Sequence, residues 1–259
     1  MEAFLSYLLA PVSSPSLMLI FILMGIVCAG ASVTSGFGIG GGVLVTILFI
    51  SILPPKFGIG LLAPLMLLMS AAGVRQYWRM WDNRHVLVLL PASLAGIWLG
   101  TYLLAEIPPQ VVKKTVGILA AIFGTVQFFT INRPEWRNRL LPTTWQGVGL
   151  GFGSGITSAL AHSGGIVFSF YLLPHSRTKE IFVATSVFLF FTTGLLKVGS
   201  YWYYDLLTFP VLILSLILMP ALILGSILGK KLNQQIPNKL FMRMISLFIA
   251  LMGIRFITS

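Results

Sequence analysis

The stretch Gly36-Phe37-Gly38-Ile39-Gly40-Gly41-Gly42 interrupts one long apolar run, which continues on the far side as Val43-Leu44-Val45. In soluble proteins, glycine-rich turns of this kind hold phosphates at helix N-termini. Gly36, Gly38 and Gly41 even match the spacing G-x-G-x-x-G. However, no βαβ alternation surrounds them and no acidic residue follows about 20 positions later, so a dinucleotide fold is excluded. A P-loop also lacks its Lys-Ser/Thr pair. The glycines must be explained by an apolar environment.

The composition is that of an integral membrane protein. Of the 259 residues, 57% are hydrophobic and only 9% are charged, whereas a soluble domain carries about 25% charged residues. The net charge of +11 comes in short clusters between apolar runs, which fits loops facing anionic lipid heads and argues against a nucleic-acid partner. The single cysteine, Cys28, excludes an internal disulfide and a cysteine-based metal cluster. We therefore expect no metal site and no cofactor.

The chain divides into ten apolar elements, so we predict an all-α fold with eight to ten hydrophobic helical elements. The predicted elements are Ser16–Ser35, Gly40–Leu53, Phe57–Val74, Val86–Ala105 and Thr115–Ile131, followed by Gly147–Ala161, Gly164–Leu173, Ile181–Leu196, Leu207–Gly229 and Lys239–Ile257. The second element of each half ends at a proline and falls below the roughly 20 residues that cross a bilayer. These two are predicted to be short broken or re-entrant helices.

The two halves of the chain resemble each other. Val33-Thr34-Ser35 matches Ile156-Thr157-Ser158, and Gly41-Gly42-Val43 matches Gly164-Gly165-Ile166, both at an offset of 123. Each half contains an odd number of elements, so the second must enter the membrane from the opposite side. We therefore predict two inverted-topology repeats, 1–132 and 143–259, joined by a cytoplasmic linker at 133–142.

The distribution of basic residues predicts the orientation. If the N-terminus lies outside and the side alternates after each element, twelve Lys and Arg residues fall inside and five fall outside. This satisfies the positive-inside rule and places both termini outside. Arg75, Arg79 and Lys197 lie at element ends and are interpreted as interface anchors.

Irregular backbone at membrane depth must be buried in protein or line a wet cavity. The unpaired N–H groups at the start of each short element carry roughly half a positive charge, which suits an anion. The predicted anion site contains the two motif loops and their hydroxyls: Thr34, Ser35, Gly38, Gly40, Gly41, Gly42, Thr157, Ser158, His162, Ser163, Gly164 and Gly165. Close helix packing is the alternative for the same residue types, and we favour it for Gly96/Gly100 and Gly225/Gly229.

Two further features limit the chemistry. His162, the only histidine in an apolar segment, could bind an anion, accept a proton or satisfy a buried carbonyl. The six acidic residues all lie outside the middle of the elements. The sequence therefore offers neither a carboxylate proton relay nor a Ser-His-Asp or paired-carboxylate site at membrane depth. This favours a transporter over an enzyme.

The sequence resembles the TauE/SafE family of membrane transporters in three features. These are the motif Gly38-Ile39-Gly40-Gly41-Gly42, its degenerate copy at Gly164-Gly165, and the G-x-x-x-G spacing in the fourth element of each half. The resemblance runs from Gly30 to Phe256. Thr46 and Ser169 stand where the family often has proline, and His162-Ser163 stands where it usually has glycine.

The resemblance implies a multi-pass protein of the bacterial inner membrane that moves sulfite, sulfonates or related organosulfur anions. We expect a secondary transporter, with export of sulfite or an organosulfonate as the leading function. The alternatives are an anion channel, an uptake transporter for another oxyanion such as thiosulfate, and a membrane subunit without transport activity. The expected partners are a small anion and the lipid bilayer. The sequence leaves open the direction, the coupling ion and whether the protein forms homo-oligomers.

Overall fold

The computed structural model describes residues 7–9, 16–37, 40–132, 142–176, 178–235 and 238–258. This part of the chain is helical and without strands. Its ten main helices are α1 (Leu17–Phe37), α2 (Gly41–Ile52), α3 (Pro55–Gln76), α4 (Asn83–Glu106), α5 (Pro109–Asn132), α6 (Thr144–Ala161), α7 (Gly164–His175), α8 (Lys179–Tyr203), α9 (Phe209–Gln235) and α10 (Asn238–Thr258).

The predicted fold class, an all-α integral membrane protein, is confirmed. Each of the ten predicted apolar elements corresponds to one helix. Within the described residues, six helices are long and apolar enough to cross a membrane, namely α1, α3, α4, α5, α8 and α9. The chain is therefore a multi-pass membrane protein.

Several predicted boundaries were wrong, three of them by more than one helical turn. Helix α5 begins at Pro109 rather than Thr115, α8 continues to Tyr203 rather than ending at Leu196, and α9 continues to Gln235 rather than ending at Gly229. In all three helices the missing turns contain lysines, and an apolar-run criterion stops at a charge. Helix α7 ends at His175, with Pro174 inside its last turn. A proline so close to a helix end removes only one backbone hydrogen bond.

The second helix of each half is short, as predicted. Helices α2 and α7 have 12 residues each, which at 1.5 Å per residue gives about 18 Å, against a hydrocarbon core of about 30 Å. Both are enclosed by longer helices. Val45, Ile47 and Phe49 of α2 are fully buried, and so is Leu172 of α7.

The main helix pairs join the two halves of the chain. Helix α1 packs on α9, α6 packs on α4, α5 packs on α10, and α3 packs on α8. The first helix of each half thus contacts the fourth helix of the other, and the third and fifth helices contact their own counterparts. This exchange is what a two-fold relation between the halves would produce. The inverted repeat and its bounds stay a prediction, and residues 133–141 of the proposed linker lie outside the described part.

Glycines make the closest of these contacts. A Cβ added to Gly96 would overlap the carbonyl oxygen of Phe152, and one added to Gly225 would overlap that of Cys28. Beside the second contact, the Ser32 hydroxyl donates to the carbonyl of Gly225 at 2.9 Å. The predicted packing role of these glycine seams is confirmed, because a larger residue could not occupy either position without separating the helices.

Candidate functional site

The starts of α2 and α7 meet at one cavity of about 130 Å³, which is also lined by α3 and α8. The two loops touch: a Cβ on Gly42 would lie 2.7 Å from the carbonyl oxygen of His162. The Thr46 hydroxyl of α2 also donates to the carbonyl of Ala161, at the end of α6, at 3.3 Å. The structure therefore brings together the two helix starts on which the predicted anion site depends.

Several other helices begin with a side-chain cap. Asp82 Oδ1 accepts from the amide of Arg84 at 2.9 Å at the start of α4. The hydroxyls of Thr143 and Thr178 perform the same role for α6 and α8. Such caps satisfy N–H groups that have no partner within the helix.

Helices α2 and α7 begin without a side-chain cap. Ser163 precedes α7 and is a residue type that often caps helices, but its hydroxyl donates backwards to the carbonyl of Thr157 at 3.1 Å. None of the hydrogen bonds in the described part of the chain uses the amides of Gly164 and Gly165. The positive ends of two helices thus remain open at the cavity.

Two residues with left-handed backbone shape these openings. Gly40 immediately precedes α2 with φ 100°, a conformation that glycine adopts without steric cost. His162 ends α6 with φ 52° and ψ 29°, which is uncommon for a residue with a side chain. Because His162 and Ser163 alone separate α6 from α7, the chain turns sharply, and Gly164 and Gly165 at the start of α7 line the cavity.

The imidazole of His162 is also unusual. It lines the cavity, and both of its ring nitrogens are buried without a hydrogen-bond partner within the described residues. Leaving a buried polar group unpaired costs about 1–3 kcal/mol. Such a group in a native structure indicates a ligand or water that completes it.

Lys197 is a lining residue that sequence analysis did not assign to the site, and its interpretation as an interface anchor was wrong. Its side chain is only 5% exposed and lines the cavity. Its Nζ donates to the hydroxyl of Ser158 at 3.2 Å and to the carbonyl of the same residue at 3.4 Å. A signal was present in the sequence: Thr193, Lys197 and Tyr201 are spaced by four and therefore share one face of α8.

Most of the predicted site residues line the cavity: Thr34, Gly40, Gly41, Gly42, Ser158, His162, Ser163, Gly164 and Gly165. Two do not. The hydroxyl of Ser35 donates to the carbonyls of Ala31 and Ser226 at 2.7 and 3.0 Å, between α1 and α9, and that of Thr157 donates to the carbonyl of Ser154 at 3.2 Å. Adjacent helical residues point about 100° apart, so neighbours in a motif cannot all face one cavity. Gly38 lies outside the described residues.

The rest of the described lining is mainly apolar, with Met66, Leu67 and Phe190, and adds two hydroxyls, those of Ser70 and Thr193. No carboxylate and no thiol belongs to it. A cavity with one ammonium, two open helix N-termini and several hydroxyls is suited to binding a small anion.

A family model described as sulfite exporter TauE/SafE matches residues 21–256, which cover nearly the whole chain and both helix starts at the cavity. No curated protein and no solved structure shows significant similarity to the chain. The chain therefore belongs to the TauE/SafE sulfite exporter family, a family of membrane transporters.

Proposed function

We propose that the protein is a secondary transporter that exports a small sulfur oxyanion, either sulfite or an organosulfonate. The anion binds in the cavity between the starts of α2 and α7. One observation carries the proposal: these two short helices open on the same cavity without side-chain caps, whereas α4, α6 and α8 are capped.

The anion would replace the missing caps. The amides of the first turn of each helix point along the helix axis and carry its positive end. The hydroxyl of Ser158 and the orphaned ring of His162 lie in the same lining. In a partly buried site of lower dielectric constant than water, these donors interact with an anion more strongly than they would in solution. The family match favours sulfur anions among the oxyanions of suitable size.

Export also agrees with the shortage of membrane carboxylates. An anion that leaves a negative-inside cell moves downhill by about 2.3 kcal/mol per charge for each 100 mV. The membrane potential can therefore drive the export of a charged substrate without a carboxylate proton relay.

Sulfite flux into proteoliposomes tests the site through Gly165, the second residue of α7. A proline is tolerated in the first turn of a helix and removes one backbone N–H. An alanine keeps that N–H and adds a similar Cβ, which in both variants meets the end of the Phe190 ring at 2.7 Å. We expect Gly165→Ala to keep most of the flux, and Gly165→Pro to lose about tenfold, the value of one charge-assisted hydrogen bond.

Both variants are first checked for monodispersity and melting temperature in detergent. Equal flux through folded Gly165→Pro and Gly165→Ala would show that the amide of residue 165 does not bind the anion. In the wild type, a secondary transporter gives flux that saturates with sulfite concentration, whereas a non-saturating current would identify a channel.

A further inference from the structure

The charge of the cavity is unbalanced. Lys197 brings a buried ammonium into it, and no Asp or Glu is found among the described lining residues. The Ser158 hydroxyl and carbonyl accept hydrogen bonds from Nζ but carry no formal charge. A buried charge is strongly unfavourable unless an opposite charge compensates it. None of the described residues that line the cavity supplies the compensating negative charge, and a bound anion would supply it.

The ammonium belongs to one half of the chain only. At the offset of 123, Ser70 of α3 corresponds to Thr193 of α8, and both line the cavity. At the same offset Lys197 corresponds to Val74, a buried apolar residue that is not part of the lining. The two helix starts are therefore similar, while the formal charge comes from α8.

We infer that Lys197 is the counter-ion of the transported anion, and that the cavity accepts sulfur anions without an amine and rejects zwitterionic aminosulfonates. This inference rests on the proposed function, of which it narrows the substrate class. The ammonium of an aminosulfonate would enter a cavity that already holds an ammonium. It would find hydroxyls and carbonyls there but no carboxylate, and like charges in a desolvated site repel.

A structural role for Lys197 must be separated from this one. Lys197 and Tyr201 both donate to carbonyls in the last turn of α6, those of Ser158 and Ala159. A lysine in this place also stabilises the negative end of the α6 dipole. Glutamine at 197 retains a hydrogen-bond donor but removes the charge, and arginine retains the charge. Lys197→Gln and Lys197→Arg therefore distinguish the two roles.

The experiment measures ligand binding to detergent-purified protein by calorimetry and thermal shift. Isethionate and taurine are matched probes, because they share the ethanesulfonate skeleton and differ by a hydroxyl in place of an ammonium. Sulfite and nitrate complete the panel, nitrate being an anion without sulfur. The control variant is Lys114→Gln, which removes an exposed lysine from α5.

We expect the wild type to bind isethionate at least about tenfold more tightly than taurine. Lys197→Gln should lose at least about tenfold in isethionate affinity while its ligand-free melting temperature stays near that of the wild type. Lys197→Arg should retain most of the affinity, and Lys114→Gln should bind like the wild type.

The inference is overturned if folded Lys197→Gln binds isethionate as the wild type does, if taurine binds as well as isethionate, or if no anion binds the wild type. Nitrate separates this inference from the proposed function. If nitrate binds in a Lys197-dependent manner while sulfite and isethionate do not, Lys197 is still the counter-ion, and the proposed sulfur substrate is wrong.

Discussion

His162 combines a strained backbone with an unpaired side chain. Its φ of 52° lies in the left-handed region, where a residue with a Cβ is destabilised by roughly 1–2 kcal/mol relative to glycine. Both of its ring nitrogens are buried without a partner among the described residues. Strain of this kind persists only where the surrounding structure enforces it, and it is concentrated at functional sites.

Two substitutions at this position separate the backbone from the ring. His162→Gly and His162→Val both remove the ring, but only valine is β-branched and unsuited to positive φ. We expect His162→Val to be less stable to unfolding than His162→Gly by about 1–2 kcal/mol, as measured by denaturant titration in detergent micelles. Both variants should bind sulfite more weakly than the wild type.

The control is Val148→Gly at an exposed position of α6. At this position the glycine variant should be the less stable protein, because a glycine in a helix interior lowers stability by up to about 1 kcal/mol relative to other residues. Equal stabilities of His162→Gly and His162→Val would show that the left-handed backbone is not under strain.

The sequence predicted the two loops that line the cavity but missed the charge of the lining. Glycines and hydroxyls beside a broken helix have a recognisable spacing, so Gly41 and Gly164 could be found from the motif and its copy. Lys197 was missed, because a charge at the edge of an apolar run resembles an interface anchor. Its four-residue spacing with Thr193 and Tyr201 is informative only if the helix continues to Tyr203, as α8 does. Ser35 was included in the predicted site because it adjoins the glycine motif, although its hydroxyl faces α9.

Among the elements, α6 carries glycines on two different faces. A Cβ on Gly151 would lie 2.7 Å from the carbonyl oxygen of Leu89 in α4, and one on Gly155 would overlap the carbonyl of Ser93. Nothing lies within 4 Å of a Cβ on Gly149 or Gly153. The helix thus packs on α4 by one stripe of glycines spaced by four, while the other glycines face away from the neighbouring helices.

This difference predicts opposite effects for the same substitution. Gly151→Ala should destabilise the protein by about 1–3 kcal/mol, because the added methyl meets backbone that cannot move independently. Gly153→Ala should be neutral or stabilising by up to about 1 kcal/mol, since alanine has the higher helix propensity. Thermal unfolding of the two purified variants measures both effects, and a similar melting temperature for both would contradict the close packing of α6 on α4.

At the scale of the whole molecule, the contact between α5 and α10 is reciprocal. A Cβ on Gly124 would lie 2.6 Å from the amide nitrogen of Ala250, and one on Gly253 would lie 2.5 Å from that of Ala121. At an offset of 129 in the sequence, Gly124 corresponds to Gly253 and Ala121 corresponds to Ala250. The two contacts are therefore related by the same offset in the sequence. The sequence could predict matching residues at this offset, but not their contact, because such pairing depends on how the two halves pack.

An inverted repeat makes a definite prediction for the loops after the third helix of each half. Met80 lies between α3 and α4, Thr208 lies between α8 and α9, and both are exposed. Inversion requires the two loops to face opposite sides of the membrane. Arg79 lies in the first loop, and Arg75 and Arg84 flank it; these arginines predict that the loop is the inner one. We therefore expect Met80 inside and Thr208 outside.

Labelling by a membrane-impermeant maleimide tests this arrangement in a Cys28→Ser background, which removes the only native thiol. Thr208→Cys should react in intact cells, and Met80→Cys should react only after permeabilisation. Labelling of Met80→Cys in permeabilised cells also serves as the control for its expression and thiol reactivity. Labelling of both cysteines from the same side would contradict the inverted repeat. Opposite sides with Met80→Cys outside would keep the repeat but reverse the orientation, and both termini would then lie inside.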